Sequence, residues 1–359
     1  YHRVKELLTG QKFDAEKFDS DWNYRQEWLK KTTSPAYEEA RASTKNAHYT
    51  SPEVCRAMWD ALKHLGFEGG VVLEPALGSG NFLGTMPDEF RRATRRVGVE
   101  LDATTALVAK HLYPNAEVHS AGFEATTFPD GFFDLAVSNV PFGDYPVHDP
   151  AFKKGRRFLS DSIHNYFFAK GLDKVKPGGT VAFITSRYTL DGQDPRVRQY
   201  LASQADLVGA VRLPNTAFKG NAGTEVTTDI IFLRKRAPGE PPGDTSWVDV
   251  KPMGRKNAEG EAMFVNEYYH AHPEMLLGKM AWSGTMYGGK KHPQLEGDGR
   301  DLKAALADAV QKLPKNAVKR QVEHCPACGA YMSAGGVCNN PKCPSKRPVF
   351  FAPSSPTGT

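Results

Sequence analysis

Between Gly70 and Lys235 short apolar runs alternate with helical spans, and this alternation limits the possible folds more than any other feature of the chain. Strands are predicted over Gly70–Glu74, Arg95–Asp102, Ala116–Phe123, Phe132–Val137, Gly178–Asp191, Asp206–Pro214 and Thr224–Lys235. Helices are predicted over Ala103–Leu112, Ser162–Val175 and Pro195–Ser203. Strand and helix in turn argue for an α/β fold: a doubly wound, Rossmann-like, seven-stranded parallel sheet with both faces covered. The last two strands have no helix between them, so one of them is expected to run antiparallel at the end of the sheet.

The flanks divide the chain further. Residues 1–45 are polar with scattered aromatics, and Ser20 can cap a helix over Asp19–Lys31, giving an N-terminal helical extension. Residues 46–237 form the sheet domain, which opens with a helix after Ser51-Pro52 whose apolar face holds Val54, Cys55, Met58, Leu62 and Leu65. Cys55 on that face reads as a small core residue. A Pro/Gly-rich stretch, Ala237–Asp244, ends that domain. Residues 238–320 are less regular, suit a target-contacting element, and contain an amphipathic helix over Asp301–Leu313. Residues 321–347 carry four cysteines, and 348–359 read as a disordered tail.

Those four cysteines, Cys325, Cys328, Cys338 and Cys343, follow the pattern C-x2-C-x9-C-x4-C. Two close pairs of thiols predict a small C-terminal zinc ribbon with a tetrahedral structural site. Disulfides and an iron–sulfur cluster are the competing readings. Lysines and arginines surround the cluster, and the chain carries a net charge of +5, which is compatible with a polyanionic partner. No apolar run approaches the roughly 18 residues that span a bilayer, so a membrane partner is not expected.

The chemistry is carried by two stretches. LEPALGSGNF places Glu74 and Pro75 at a strand end and Gly78 and Gly80 in the following turn. Glycines there let a ligand approach the backbone. Glu100 ends the second strand some twenty residues past Gly80, the distance at which an acid meets ribose hydroxyls. An acid ahead of the turn would repel a pyrophosphate and attract a cation, which favours the sulfonium and ammonium of S-adenosylmethionine over a dinucleotide. The second stretch is SNVPFG, Ser138–Gly143. Asn139 offers an amide, Pro141 restrains Val140 and so fixes a carbonyl, and Phe142 offers a ring, a set suited to gripping a planar amine.

Taken in order, HYTSPE, LEPALGSGNF, VGVELD and SNVPFG resemble the adenine-N6 DNA methyltransferases whose catalytic motif is Asn-Pro-Pro-Phe or Asn-Pro-Pro-Tyr. AGTEVTTDIIFLRKR and HPEMLLGKMAWSGTMYG are similar to the methylase part of large bacterial, plasmid or phage methylase–helicase proteins, although the chain has no G-x-x-x-x-G-K-[ST] phosphate loop. The resemblance implies an S-adenosylmethionine-dependent methyltransferase sheet acting on DNA in the cytoplasm, with a helicase domain or helicase partner. It implies Tyr49, Thr50, Glu74, Pro75, Gly78, Gly80, Glu100, Phe123 and Asn139 as cofactor contacts. It implies Asn139, Val140, Pro141 and Phe142 as the residues that hold a flipped adenine. The acid that usually follows the third strand has its nearest match in Glu124, and Val140 stands where the family usually has proline. Two other readings remain open: methylation of an RNA base or a protein glutamine, and an inactive DNA-binding module on a methylase fold.

Overall fold

The computed structural model describes residues 50–153, 155–218, 226–254, 256–283 and 291–318, together with Cys328 and Cys343. The expected extension over 1–45, Tyr49, Cys325 and Cys338 lie outside the described residues.

Seven strands form one sheet: β1 Gly70–Glu74, β2 Thr94–Glu100, β3 Glu117–Ser120, β4 Phe133–Asn139, β5 Val175–Ser186, β6 Ala205–Leu213 and β7 Thr228–Lys235. Their order is β3-β2-β1-β4-β5-β7-β6, with β1 to β5 parallel and β7 antiparallel to both of its neighbours. Sequential strands thus run outward from β1 in one direction and from β4 in the other. The crevice between β1 and β4 is the place where such sheets bind ligands, beyond the strands' C-terminal ends. All of β4 except its last residue is buried, as a strand covered on both faces should be.

Two strand ends and one position in the sheet differ from the sequence reading in ways that shape the site. The third strand stops at Ser120, and the chain then makes a short turn of 3₁₀-helix, Phe123–Ala125, which turns Phe123 back toward the sheet end. The fifth strand ends at Ser186, and Tyr188–Asp191 form a single helical turn. That turn is set by contacts from other segments, which a local apolar pattern does not report. The antiparallel strand, β7, is not the edge. It inserts between β5 and β6 and pairs antiparallel with both, while β6, reached from β5 through a helix-bearing connection, takes the edge.

The helix Pro52–His64 begins where Ser51 accepts the Val54 N–H at 3.3 Å, and it buries Val54, Cys55, Met58, Trp59 and Leu62. Its Trp59 indole donates to the Phe82 carbonyl at 3.0 Å, which ties it to the helix Asn81–Thr85. Burial pushes the Cys55 thiol far up, so this cysteine stays an inert core residue.

The later segments share this core. Trp247, Val265, Tyr269, Met275 and Leu277 are buried with the sheet residues. The helix Leu302–Lys312, capped by Asp301, lies against Pro52–His64, with His64 Nε2 2.8 Å from the Leu313 carbonyl. At the C-terminal end of β6 the fully buried Arg212 binds Asp191 at 2.7 and 2.9 Å and Asp229 at 2.7 and 2.9 Å. Burial alone would lower the pKa of Arg212, but the charges of Asp191 and Asp229 outweigh it and hold the guanidinium well above its ordinary value. No helix among the described residues is long and apolar enough to cross a membrane.

Candidate active site

Glu74 ends β1, and the chain turns through Pro75–Gly80 into the helix Asn81–Thr85. Gly78 and Gly80 have φ of +53° and +78°, the left-handed region that favours glycine. At Gly80 a Cβ would also collide with the Tyr113 ring, whereas at Gly78 nothing lies within 4 Å of one. Gly80 therefore lets the loop pack, and Gly78 faces open space. Glu100, at the end of β2, straps the loop in place: its carboxylate accepts the Gly78 N–H at 2.7 Å and the Asp102 N–H at 2.9 Å.

Two further bonds bring the remaining motifs to this loop. Asn81 donates its side-chain amide to the Thr50 carbonyl at 2.8 Å, which fixes the segment ahead of the first helix. Ser138 donates its hydroxyl to the Ala76 carbonyl at 3.1 Å, which fixes the end of β4 against the turn. Beyond it, Val140 donates its N–H to the Ile184 carbonyl at 3.1 Å. This bond extends the β4–β5 pairing by one residue, and a proline in that place could not make it. The far end of the loop is held by Ser162, whose hydroxyl donates to the Gly143 carbonyl at 3.1 Å.

The result is one cavity of about 250 Å³. Of the residues predicted from sequence, Thr50, Glu74, Pro75, Gly78, Glu100, Phe123, Asn139, Val140 and Pro141 line it, and so does Glu124. Gly80 and Phe142 are not in the wall: Gly80 sits behind it under Tyr113, and Phe142 packs half-buried against the main core. Sequence reasoning missed Leu101, Asp102 and Tyr145, which also line the cavity. Leu101 is 74% exposed, so this apolar side chain directly after the strand-ending acid covers no core.

Electrostatically the cavity is acidic. Burial pushes the Glu74 carboxyl well above the usual range, and the charge of Glu100 adds to the shift. Glu74 Oε2 is buried with no hydrogen-bond partner. Burial also raises Glu100, although the N–H groups of Asp102 and Gly78 offset part of this. Two desolvated carboxylates, one with an oxygen left over, fit a cationic ligand, whose charge would relieve both.

Since its folded pKa is raised, the stability that Glu74 contributes is complete below the usual glutamate pKa and is lost as pH rises through the raised value. Glu74→Gln should therefore melt higher than the parent chain in the absence of ligand, by a margin that grows with pH across that window. A cationic ligand that fills the cavity should also bind roughly ten- to a hundredfold more weakly, the loss of one charge-assisted contact. Differential scanning fluorimetry across pH, with calorimetric titration of that ligand, measures both.

Behind Phe123 stands a buried ion pair that the sequence did not signal. Lys170 donates to the Phe123 carbonyl at 2.7 Å and to Asp149 at 2.8 Å, and Tyr166 donates to the same Asp149 oxygen at 2.7 Å. This group ties the wall containing Phe123 to the segment that follows SNVPFG. No group of three or more His, Cys, Asp or Glu side chains that could hold a metal occurs among the described residues, which include only Cys328 and Cys343 of the four cysteines.

A doubly wound, mostly parallel seven-stranded sheet, with an acid-flanked glycine turn and an Asn-containing loop in one crevice, defines the methyltransferase class of α/β proteins. Residues 35–268 match the sequence profile of the N-6 DNA methylase family, and the chain belongs to that family. It is 31% identical over 192 residues to the "defense against restriction protein B" of Escherichia phage P1, an overlap of 52% of this chain and 8% of that protein. It is 33% identical over 130 residues to a type II methyltransferase of Thermus thermophilus, covering 33% of this chain and 29% of that one. The chain thus spans less than a third of either relative. Among solved structures, the methyltransferase subunit of a type I restriction-modification system from Streptococcus thermophilus aligns at 20% identity and a TM-score of 0.46, over 53% of this chain and 45% of its own.

Proposed function

We propose that this chain transfers a methyl group from S-adenosylmethionine to the N6 amine of an adenine in DNA. One observation carries the reading: the Ser138–Ala76 bond sets the Asn139–Pro141 loop in the wall of the same cavity as Glu74, Gly78 and Glu100. When bound, S-adenosylmethionine supplies an electrophilic methyl on a sulfonium. Glu74 would meet its cationic methionine end together with Tyr49, Thr50 and Pro75. Gly78 and Gly80 would shape the loop, Glu100 would hold the ribose, and Phe123 would meet the adenine.

On the target side, the Asn139 side-chain oxygen and the Val140 carbonyl accept the two N6 hydrogens. That would draw the nitrogen toward tetrahedral geometry and orient its lone pair for attack, which is catalysis by orientation and electrostatic stabilisation; the N–C bond would form as the C–S bond breaks to leave a neutral thioether, and the N6 proton would pass to water. Pro141 keeps the Val140 carbonyl in place. Phe142 is the aromatic that the family motif offers for stacking, and Tyr145 in the cavity wall is a second. A base inside a duplex must leave the stack to reach such a site.

The domain division follows the same reading: catalysis in 46–237, target contacts in 238–320, a zinc ribbon in 321–347 and a tail in 348–359. Four cysteines in two close pairs are the donor set that suits structural zinc, with Cys325, Cys328, Cys338 and Cys343 as ligands. Elemental analysis of the purified chain should find one zinc per molecule, and Cys325→Ser with Cys328→Ser should lose it. A metal-free parent chain that melts at the same temperature would refute the ribbon. DNA is the expected partner, and a helicase or another subunit of a larger assembly is a further one, in a cytoplasmic setting.

Expression of the chain, followed by methylation-sensitive sequencing of the plasmid that encodes it, tests the reaction, and N6-methyladenine at a defined motif is the expected result. Tritiated cofactor offered in parallel to DNA, RNA and protein separates the readings, since label in RNA or protein alone would refute DNA as substrate.

A further inference from the structure

The large apolar and aromatic side chains exposed among the described residues are Leu101, Leu107, Leu112, Tyr145 and Tyr188. Leu107 and Leu112 lie on the outer helix Ala103–Leu112, and Leu101 and Tyr145 belong to the cavity wall. Tyr188 belongs to neither, and it is 44% exposed. Strand register fixes its place. Asn139 pairs with Ile184 across β4 and β5, so Tyr188 comes four residues after the partner of the target-side asparagine, at the same C-terminal edge of the sheet.

The turn that carries Tyr188 is firmly built. Asp191, at its end, takes two of the four Arg212 bonds, the Arg187 guanidinium at 3.2 Å and the Asn266 N–H at 3.0 Å. Asn266 also donates to the Leu190 carbonyl at 2.9 Å, and the hydroxyls of Thr185 and Thr189 bond at 2.8 Å. Arg187 lies 4.2 Å from the centroid of the Tyr188 ring and covers one face of it. Buried charges from three segments therefore immobilise a turn whose first side chain remains at the surface. A ring held this way loses little freedom on binding, and the guanidinium behind it keeps the ring in place through its own pairing with Asp191.

We propose that Tyr188 is a stacking residue for the DNA strand that carries the target adenine, meeting a base beside the target with Arg187 behind it. The proposal rests on the methyltransferase reading above and adds a specific contact outside the cofactor cavity. Stacking of a base on an aromatic side chain is lost on truncation to alanine at a cost of roughly ten- to a hundredfold in affinity.

The test uses the full chain and a fluorescein-labelled 30-mer containing the mapped methylation site, with binding read by anisotropy and methylation by KM and kcat. Tyr188→Ala should weaken DNA binding and raise the DNA KM tenfold or more, with affinity for S-adenosylmethionine and melting temperature unchanged. Tyr188→Phe keeps the ring and should stay near the parent value. Equal DNA binding by the parent chain and Tyr188→Ala would overturn the proposal and leave the ring for a protein partner. If the parent chain methylates no DNA base, the reading of function fails. Anisotropy with a labelled 30-mer of mixed sequence still decides the contact in that case, since weakened binding by Tyr188→Ala supports it and equal binding overturns it.

Discussion

Asn139→Ala should lower the rate of methyl transfer to DNA by at least roughly a hundred- to a thousandfold, the scale seen when one preorganised polar group is removed from a reacting centre. The site shows why the loss should fall on the chemical step. Asn139 ends β4 in the cavity wall, while Glu74, Gly78 and Glu100 approach from β1 and β2. The strap between Glu100 and Gly78 does not involve Asn139, so affinity for S-adenosylmethionine should stay within roughly threefold of the parent. Single-turnover kinetics with calorimetric titration of the cofactor separates the two effects. Transfer within tenfold of the parent rate would remove Asn139 from the reaction.

Arg212→Met is expected to have the largest effect on stability. It would leave Asp191 and Asp229, both buried, without the cation that each binds in two places. Removing one partner of a buried ion pair costs about 3–5 kcal/mol, because the stranded charge is desolvated. For a chain of this size that lowers the melting temperature by roughly 4–7 °C. Urea unfolding at pH 7 measures it, and a loss under about 1 kcal/mol would show that the network is not what holds β6, β7 and the 188–191 turn together. Adding Asp191→Asn and Asp229→Asn should recover part of the loss, since the charges that Arg212 neutralises are then gone. The recovery would separate a charge effect from a packing effect.

Much of the candidate site is legible in the chain because each part is local. Glu74 and its glycines sit on one strand-to-helix turn, Glu100 ends the next strand, and Asn139 with Pro141 ends the fourth. Strand periodicity and turn chemistry identify such pieces without any knowledge of their neighbours. Tyr145 and Leu101 escaped this reading because nothing local distinguishes an exposed tyrosine or leucine that lines a cavity from one that faces water. Phe142 shows the converse: its motif is local, but its place outside the cavity wall, half-buried against the core, is set by packing that the motif does not report.

The sequence by itself determined the element order, the doubly wound class of the sheet, the residues of the cofactor turn and the asparagine loop, since period, glycine and proline act over a few residues. The tertiary structure alone sets that β7 inserts between β5 and β6, that Ser138 binds the carbonyl of Ala76, that Lys170 and Asp149 stand behind Phe123, and that Arg212 gathers Asp191 and Asp229. Each of these joins residues far apart in the chain. Their energies depend on burial and on distances of about 3 Å, and folding alone sets both.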